Sequence, residues 1–173
     1  MRSIIMAKKR IKIGRAVQLF GDGFQKGDTL AGRKVWRIPV MEGEFVIEDK
    51  FGVKRAVAGG NFLVMAENQK AGLEAAEKAV KAIGRVQGVV LTFPGGICRS
   101  GSKVGSMKYK LGASTNHPFC PLLRRAISNS LVPEGVTSVY ELVFNGLTAD
   151  LVKKATGEGV RAAMNVPGVK KIT

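Results

Sequence analysis

The sequence is short of the residues that build metal centres and disulfide frameworks. It contains two cysteines, Cys98 and Cys120, and one histidine, His117, in 173 residues. Two cysteines do not make a disulfide framework, and with a single histidine they do not supply the four ligands of a structural zinc site. We therefore expect no metal site and a cytoplasmic location.

Long apolar runs and closely spaced aromatic residues are also lacking. No apolar run approaches the length of a membrane-spanning helix, so we expect no membrane association. Aromatic residues make up 6% of the chain, and they are not interleaved with basic residues as in a stacking platform for nucleic acid bases. The first ten residues are too few and too charged for a signal peptide, and residues 1–17 are interpreted as a basic N-terminal segment.

Acidic residues are scarce: 13 Asp and Glu stand against 28 Lys and Arg, which gives a formal net charge of +15. This balance favours an anionic partner, which could be a nucleic acid, an acidic cofactor or a charged metabolite. A generally solubilising surface is the alternative. The content of 45% apolar and 24% charged residues is typical of a globular chain, and the length predicts a single domain over residues 1–173.

A strand–helix–strand pattern occurs twice in the sequence. In the first copy, an apolar run over residues 62–66 precedes Asn68, a suitable helix cap, and an apolar stripe formed by Leu73, Ala76, Val80 and Ile83. In the second copy, Thr148 takes the place of the cap, and both helices end in a glycine-containing turn, at Gly88 and Gly168. The repeat predicts an α+β fold, with a ferredoxin-like βαββαβ sandwich over residues 61–173.

The repeat gives definite positions for its elements. We expect one antiparallel sheet with strands near residues 61–67, 88–93, 137–145 and 168–173, covered on one face by helices near residues 70–84 and 148–164. An antiparallel β meander is predicted before the sandwich, with strands at residues 11–20, 33–40, 44–48 and 53–58 and a loop at 28–32. The proline- and glycine-containing connection over residues 93–134 is interpreted as a long inserted binding loop with a short helix at 122–130.

The inserted loop contains a glycine-rich stretch, residues 96–106, that follows a predicted strand. The order Gly-Ser-Lys at Gly101 to Lys103 is not that of a Walker loop, which requires Gly-Lys-Ser or Gly-Lys-Thr before a helix. Glycines nevertheless expose backbone N–H groups, and Lys103 and Arg99 add positive charge. The stretch therefore predicts an anion-binding loop rather than a nucleotide hydrolase.

Many short motifs, in order along the chain, carry a resemblance to a known family. They include Gly32-Arg33-Lys34-Val35-Trp36, Ala58-Gly59-Gly60-Asn61-Phe62, Phe93-Pro94-Gly95-Gly96-Ile97, Ser102-Lys103-Val104-Gly105-Ser106, Ala113-Ser114-Thr115-Asn116 and Val139-Tyr140-Glu141. From about Phe20 to Thr173 the sequence resembles formylmethanofuran:tetrahydromethanopterin N-formyltransferases. The resemblance implies a homo-oligomer of ferredoxin-like lobes. In the family, a further N-terminal lobe precedes the matched region.

The resemblance also implies the activity and the site residues. Family enzymes move a formyl group from formylmethanofuran to N5 of tetrahydromethanopterin, without a bound cofactor. The glutamate of the Val-Tyr-Glu strand, here Glu141, would be the catalytic residue. Substrate-binding roles would fall on Tyr140, Lys103, Ser102, Ser106 and Asn116, with His117 as a weaker candidate.

Formyl transfer between two amines requires a group that moves a proton. The incoming amine must lose a proton and the leaving amine must gain one, and a partly desolvated carboxyl group can do both. Glu141 lies in an otherwise apolar strand, which favours partial burial. Two alternatives to an active transferase stay open: an inactive paralogue that binds a pterin or regulates a full-length enzyme, and a basic nucleic-acid-binding protein.

Overall fold

A computed structural model of the chain describes residues 9–99 and 101–173. The chain forms two compact units, Met1–Arg55 and Ala56–Thr173. The basic segment predicted at residues 1–17 is described only from Lys9 onward, and its first eight residues lie outside the described part, as does the expectation about a signal peptide. The prediction of one domain over the whole chain stays a prediction.

The first unit is built mainly from short antiparallel strands. In chain order its elements are β1 (Lys9–Ile11), α1 (Ile13–Val17), β2 (Lys26–Leu30), β3 (Arg33–Val40), β4 (Gly43–Glu48) and β5 (Phe51–Val53). Strands β2, β3 and β4 form a three-stranded antiparallel sheet in that order, and β1 pairs with β5. An antiparallel meander is therefore present, but its strands are β2, β3 and β4, with β3 at its centre.

Three details of the meander prediction are wrong. The strand expected at residues 53–58 does not form, since β5 ends at Val53 and the next strand begins only at Val57. Residues 11–20 do not form a strand, since helix α1 and a 3₁₀ turn at Gln18–Gly21 occupy most of them. The backbone at Gly14 packs so closely on the carbonyl of Glu48 that a Cβ atom there would lie 1.7 Å from the oxygen. Residues 28–30, predicted as a loop because of their turn-forming composition, pair with β3 as the end of β2.

Side chains of β3 make both buried and charged contacts within the first unit. Val35 and Ile38 are buried, and the indole nitrogen of Trp36 donates a hydrogen bond of 2.8 Å to the Asp49 carboxylate. On the exposed side, Arg37 forms ion pairs of 2.6 Å with Asp28 and 2.9 Å with Glu44. The central strand therefore carries both the small core of this unit and its charged network.

The second unit contains the repeat that the sequence predicts. Its elements are β6 (Val57–Ala66), α2 (Gln69–Gly84), β7 (Val89–Leu91), β8 (Ser102–Val104), β9 (Ala113–Thr115), β10 (Ser138–Gly146), α3 (Ala149–Met164) and β11 (Val169–Ile172). A four-stranded sheet has the order β11-β6-β10-β7 with every neighbouring pair antiparallel. The four strands and two helices expected from the repeat are confirmed.

Helices α2 and α3 cover one face of this sheet. Asn68 and Thr148 cap them as predicted, accepting hydrogen bonds from the backbone N–H groups of Ala71 and Leu151. Alanines of both helices and the apolar side chains of β6 and β10 form the buried core. The predicted stripe of α2 is wrong at Leu73, which is 42% exposed, because small residues rather than leucine face the sheet.

The other face of the sheet is covered in part by the long connection between β7 and β10. Leu63 and Met65 of β6 form a second buried cluster with Val132 and Val136 of the connection. Strands β8 and β9 form a hairpin within it. The helix predicted at residues 122–130 is wrong: a single 3₁₀ turn, Pro121–Leu123, occurs there, and the expected apolar face is absent because Leu122 is 97% exposed.

No helix among the described residues is long and apolar enough to cross a membrane.

Candidate active site

Strand β10 places Glu141 at the point where the strand's neighbour on one side changes. On one side Glu141 lies opposite Leu63 of β6. On the other side, β7 pairs only with residues 144–146, and Cys98 takes over beyond its end. The Cys98 N–H donates to the Glu141 carbonyl at 2.8 Å, and the Glu141 N–H donates back to the Cys98 carbonyl at 2.9 Å.

A cleft of about 300 Å³ lies along this part of β10. Five consecutive residues of the strand region, 137–141, line one side of it. The rest of the lining comes from Leu63, Gln69 at the start of α2, and the connection residues Cys98, Arg99, Gly101, Asn116, Phe119, Cys120, Pro121 and Leu122. The cleft therefore combines a strand, a helix start and the glycine-rich loop.

The Glu141 carboxylate is partly buried and has one hydrogen-bond donor among the described residues. Its Oε1 atom accepts a hydrogen bond of 2.8 Å from the side-chain amide of Asn61. Asn61 lies on β6 opposite Val143, two residues from the position opposite Glu141, so the two side chains are diagonal neighbours on one face of the sheet. Sequence reasoning missed this partner, although Asn61 stands in one of the matched motifs.

Tyr140 points the other way from Glu141, as alternation along a strand requires. It is 7% exposed and belongs to the core cluster beneath the helices. A Cβ atom added at Gly72 of α2 would lie 3.0 Å from its ring. Tyr140 contributes to the lining of the cleft, but its ring packs against α2, and its predicted role in substrate binding stays a prediction.

The glycine-rich loop contributes some of its predicted residues to the cleft and not others. Asn116 lines the cleft beside Gly101, and its backbone N–H donates to the Gly101 carbonyl at 3.3 Å. Ser102 and Lys103 lie on β8, opposite Thr115 and Ser114 of β9. Neither is among the residues that line the Glu141 cleft.

Ser106 and His117 lie in a second, more open depression of about 710 Å³ beside the hairpin. The Ser106 hydroxyl accepts a hydrogen bond of 3.2 Å from the backbone N–H of Tyr109, which closes the hairpin turn. Of the six residues predicted for the site, the structure therefore brings Glu141, Tyr140 and Asn116 to one cleft and places Ser102, Lys103 and Ser106 on the neighbouring hairpin.

The connection between β7 and β10 is rich in basic residues. Residues 92–133 contain six Lys and Arg and no Asp or Glu, and Glu134 follows them. Arg99 is the basic residue of that connection that lines the cleft. The residues that line the cleft therefore carry one positive and one negative side chain, Arg99 and Glu141.

The cysteines of the cleft form neither a disulfide nor part of a metal centre. Cys98 and Cys120 are not joined to each other. The Cys120 thiol donates to the Asn116 carbonyl at 3.4 Å. Within residues 9–99 and 101–173, no group of three or more His, Cys, Asp or Glu side chains is placed to hold a metal ion.

An antiparallel sheet under two helices, with Glu141 and Arg99 lining a cleft beside β10, defines an α+β protein with a candidate ligand site. The family model described as FTR, proximal lobe, matches residues 43–173. The chain belongs to this family.

Named relatives match nearly the whole chain. The formylmethanofuran–tetrahydromethanopterin formyltransferase of Methanocaldococcus jannaschii is 51% identical over 171 residues, which cover 97% of this chain and 57% of the relative. That of Methanopyrus kandleri is 53% identical over 163 residues, covering 94% of this chain and 54% of the relative. The chain thus spans little more than half the length of the relatives it matches.

Solved structures agree with the fold. The formylmethanofuran:tetrahydromethanopterin formyltransferase from Methanosarcina barkeri superposes with a TM-score of 0.71 at 44% identity, covering 96% of this chain and 56% of that one. The formyltransferase/hydrolase complex from Methylorubrum extorquens, solved with methylofuran, gives a TM-score of 0.71 at 38% identity, covering 98% and 57%.

Proposed function

We propose that the chain takes part in formyl transfer from formylmethanofuran to N5 of tetrahydromethanopterin, with Glu141 as the proton carrier. The observation that carries the proposal is the position of Glu141: the one carboxylate among the residues lining the cleft, partly buried and set against a basic connection. Membership of the FTR family supports the choice of substrates.

The chemistry asks for one group that accepts and then returns a proton. The N5 amine of the pterin attacks the formyl carbon, a new C–N bond forms, and the carbonyl oxygen becomes negatively charged. Glu141 takes the proton that the attacking nitrogen loses. It then delivers this proton to the nitrogen of methanofuran as the old C–N bond breaks and the carbonyl re-forms.

Basic and polar groups around the cleft would hold the anionic parts of the substrates. Asn116 lines the cleft, and we assign it to direct substrate contact. Lys103 and Ser102 on β8, with Ser106 at the hairpin turn, are assigned to the charged end of a substrate that extends from the cleft along the hairpin. Tyr140 supports the strand from the core side, where its ring packs on α2.

The fold and assembly complete the proposal. The strand order β11-β6-β10-β7 with two helices on one face supports a ferredoxin-like arrangement. Exposed apolar side chains on the hairpin, Val104, Met107, Tyr109 and Leu111, are 58% to 93% exposed and support a homo-oligomer, since such patches commonly mark interfaces. We further propose that the protein is cytoplasmic and works without a bound metal or prosthetic group.

The direct test is a transfer assay with the purified chain. Formylmethanofuran and tetrahydromethanopterin are incubated with the wild type, with Glu141→Gln, and with the matched control Glu134→Gln, whose side chain is 90% exposed. Formyl-tetrahydromethanopterin is quantified by mass spectrometry.

Product from the wild type and the control, with little from Glu141→Gln, is the expected outcome. If the wild type gives no product at concentrations where it binds the pterin, the chain is an inactive pterin-binding protein rather than a transferase. Equal rates for all three proteins would remove Glu141 from the mechanism.

A further inference from the structure

The Glu141 carboxylate accepts a hydrogen bond from Asn61, a residue of the neighbouring strand β6 that follows Gly59 and Gly60. The side-chain amide of Asn61 donates to Glu141 Oε1 at 2.8 Å, and the two residues are 80 positions apart in the sequence. We propose that Asn61 is the positioning residue for the Glu141 carboxyl, and that Gly59 and Gly60 allow the backbone conformation that places Asn61 beside it. This inference rests on the proposed function for its catalytic consequence, but not for its geometry.

An amide is well suited to orient a carboxyl group that must change protonation state. An ionised carboxylate accepts hydrogen bonds on both oxygens, whereas a protonated carboxyl still accepts on the oxygen that carries no proton. The Asn61 N–H can therefore donate to Oε1 in both states. The proton that Glu141 gains and loses is then confined to Oε2, so the group returns it from the place where it took it up.

A charged partner would not serve the same purpose. A lysine or arginine in place of Asn61 would stabilise the ionised form strongly and oppose proton uptake. Asn61 is neutral, and the surrounding described residues offer Glu141 no second side-chain donor. The hydrogen bond from Asn61 therefore fixes the orientation of the Glu141 carboxyl group without holding the group in its ionised form.

The backbone before Asn61 is shaped for this contact. Gly59 has a φ of +97°, a conformation that strongly favours glycine, and its N–H donates to the Asn145 side-chain oxygen at 3.1 Å. Opposite this point the pairing of β6 with β10 shifts register between Phe144 and Gly146. This bulge and the positive φ of Gly59 together set where regular pairing begins.

Gly60 leaves no room for a side chain. A Cβ atom there would lie 2.6 Å from Val152 Cγ1 and 2.7 Å from Phe144 Cε2, so the strand can approach the core this closely only with glycine. Because side chains alternate along β6, the residue after Gly60 points to the opposite face, where Glu141 lies. Gly59, Gly60 and Asn61 therefore act together to place a side-chain amide next to the Glu141 carboxylate.

The test measures orientation and rate separately. Asn61→Ala removes the donor, and Asn165→Ala is the matched control, since Asn165 is exposed and donates one side-chain hydrogen bond of 2.9 Å to the Arg161 carbonyl. Three-bond couplings along the Glu141 side chain are measured by NMR in the full chain. Transfer kinetics are measured on the same samples.

We expect Glu141 to occupy one side-chain rotamer in the wild type and in Asn165→Ala, and to average between rotamers in Asn61→Ala. We expect kcat to fall by about ten- to a hundredfold in Asn61→Ala, the loss typical of a hydrogen bond to a charged group, with KM changed far less. Asn165→Ala should keep wild-type kinetics.

The two arms separate failure of this inference from failure of the proposed function. A single Glu141 rotamer in Asn61→Ala would overturn the positioning role, and so would wild-type kcat in that variant. If the wild type transfers no formyl group, the function fails, while the couplings still decide whether Asn61 orients the carboxyl.

Discussion

Leu63 and Glu141 lie directly opposite each other on β6 and β10, one 9% exposed in an apolar cluster and the other a carboxylate on the same face of the sheet. This pairing places an ionisable group at the margin of a hydrophobic cluster, with solvent access through the cleft. The carboxylate is therefore partly buried and still open to the cleft.

The first prediction concerns Glu141→Gln. The amide keeps the shape and can still meet Asn61 through its oxygen, so folding should be little changed. Loss of a positioned acid–base group typically lowers the rate about a hundredfold to ten-thousandfold. Rates are compared between proteins shown to have matched melting temperatures. A variant that retains the wild-type rate would exclude proton transfer by Glu141.

The second prediction separates Lys103 from Asn116. Both alanine variants should bind the pterin more weakly without unfolding, but for different reasons. Lys103 lies outside the cleft lining and would act through its charge, so its effect should shrink as salt screens the interaction. Asn116 lines the cleft, and its effect should persist in salt.

Titrations at low and high salt measure this difference. A Lys103→Ala variant with unchanged affinity at low salt would remove the hairpin from the binding site. A loss that grows with salt would contradict the electrostatic account.

The third prediction uses two glycines of α3 as a matched pair. At Gly159 a Cβ atom would lie 2.9 Å from Ile83 Cδ1 and 3.0 Å from the Phe62 ring, so Gly159→Ala should cost about 1–3 kcal/mol of unfolding free energy. At Gly157 the nearest atoms are 3.5 Å away, on the flexible Arg161 side chain. Gly157→Ala should therefore stabilise the helix by about 0.5–1 kcal/mol.

Urea denaturation followed by far-ultraviolet circular dichroism measures both changes. Equal effects of the two substitutions would show that α3 packs on α2 less closely than the structure has it.

The fourth prediction is a pH dependence in the first unit. The hydrogen bond from Arg37, followed by that from the Thr29 backbone, lowers the pKa of Asp28 below its ordinary value of 3.8. A lowered folded-state pKa gives stability that is present above the ordinary value and is lost as the pH falls through the folded pKa. The stability difference between wild type and Arg37→Gln should therefore shrink below pH 3.8.

The fluorescence of Trp36, the single tryptophan of the chain, reports the unfolding of this unit. Because the Asp28 and Arg37 side chains are 44% and 35% exposed, the difference should be modest and should also shrink in salt. A difference that is constant from acid to neutral pH would rule out the Asp28 ion pair as its source.

The fifth prediction concerns assembly. If the exposed apolar residues of the hairpin form the contact between copies, Met107→Glu should weaken association, because it places a charge in an apolar interface. Light scattering at micromolar protein measures the mass of the wild type and the variant. A monomeric wild type would contradict the proposed homo-oligomer.

Sequence periodicity was sufficient to predict the repeat, and insufficient elsewhere for physical reasons. Helices α2 and α3 carry both an apolar face and a capping residue, so local signals and tertiary packing agree. Strand β2 contains Gly27 and Asp28, which are poor strand formers, and it forms because β3 pairs with it. In place of the helix expected after Pro121, one 3₁₀ turn forms, and Leu122 points to solvent rather than to a core.

The candidate site could be predicted only in part. The apolar flanks of Glu141 indicated partial burial, and the structure has the side chain partly buried. The contact with Asn61 could not be derived, because it depends on the register of two strands that are far apart in the sequence. The sequence nevertheless contained a sign of this contact. Two glycines precede Asn61, and neither strand propensity nor hydrophobic periodicity explains that combination.

The position of β11 bears on how the protein behaves when concentrated. In the sheet formed by the described residues, β11 occupies one edge, and its outer backbone groups could template the addition of a strand from another molecule. Lys170 and Lys171 stand on this edge and are exposed, with Lys170 also paired to Glu67 at 3.1 Å. Such charges at a sheet margin oppose fibrillar stacking. Acetylation of these two lysines would remove both charges, and we therefore expect it to make edge-to-edge association between molecules easier.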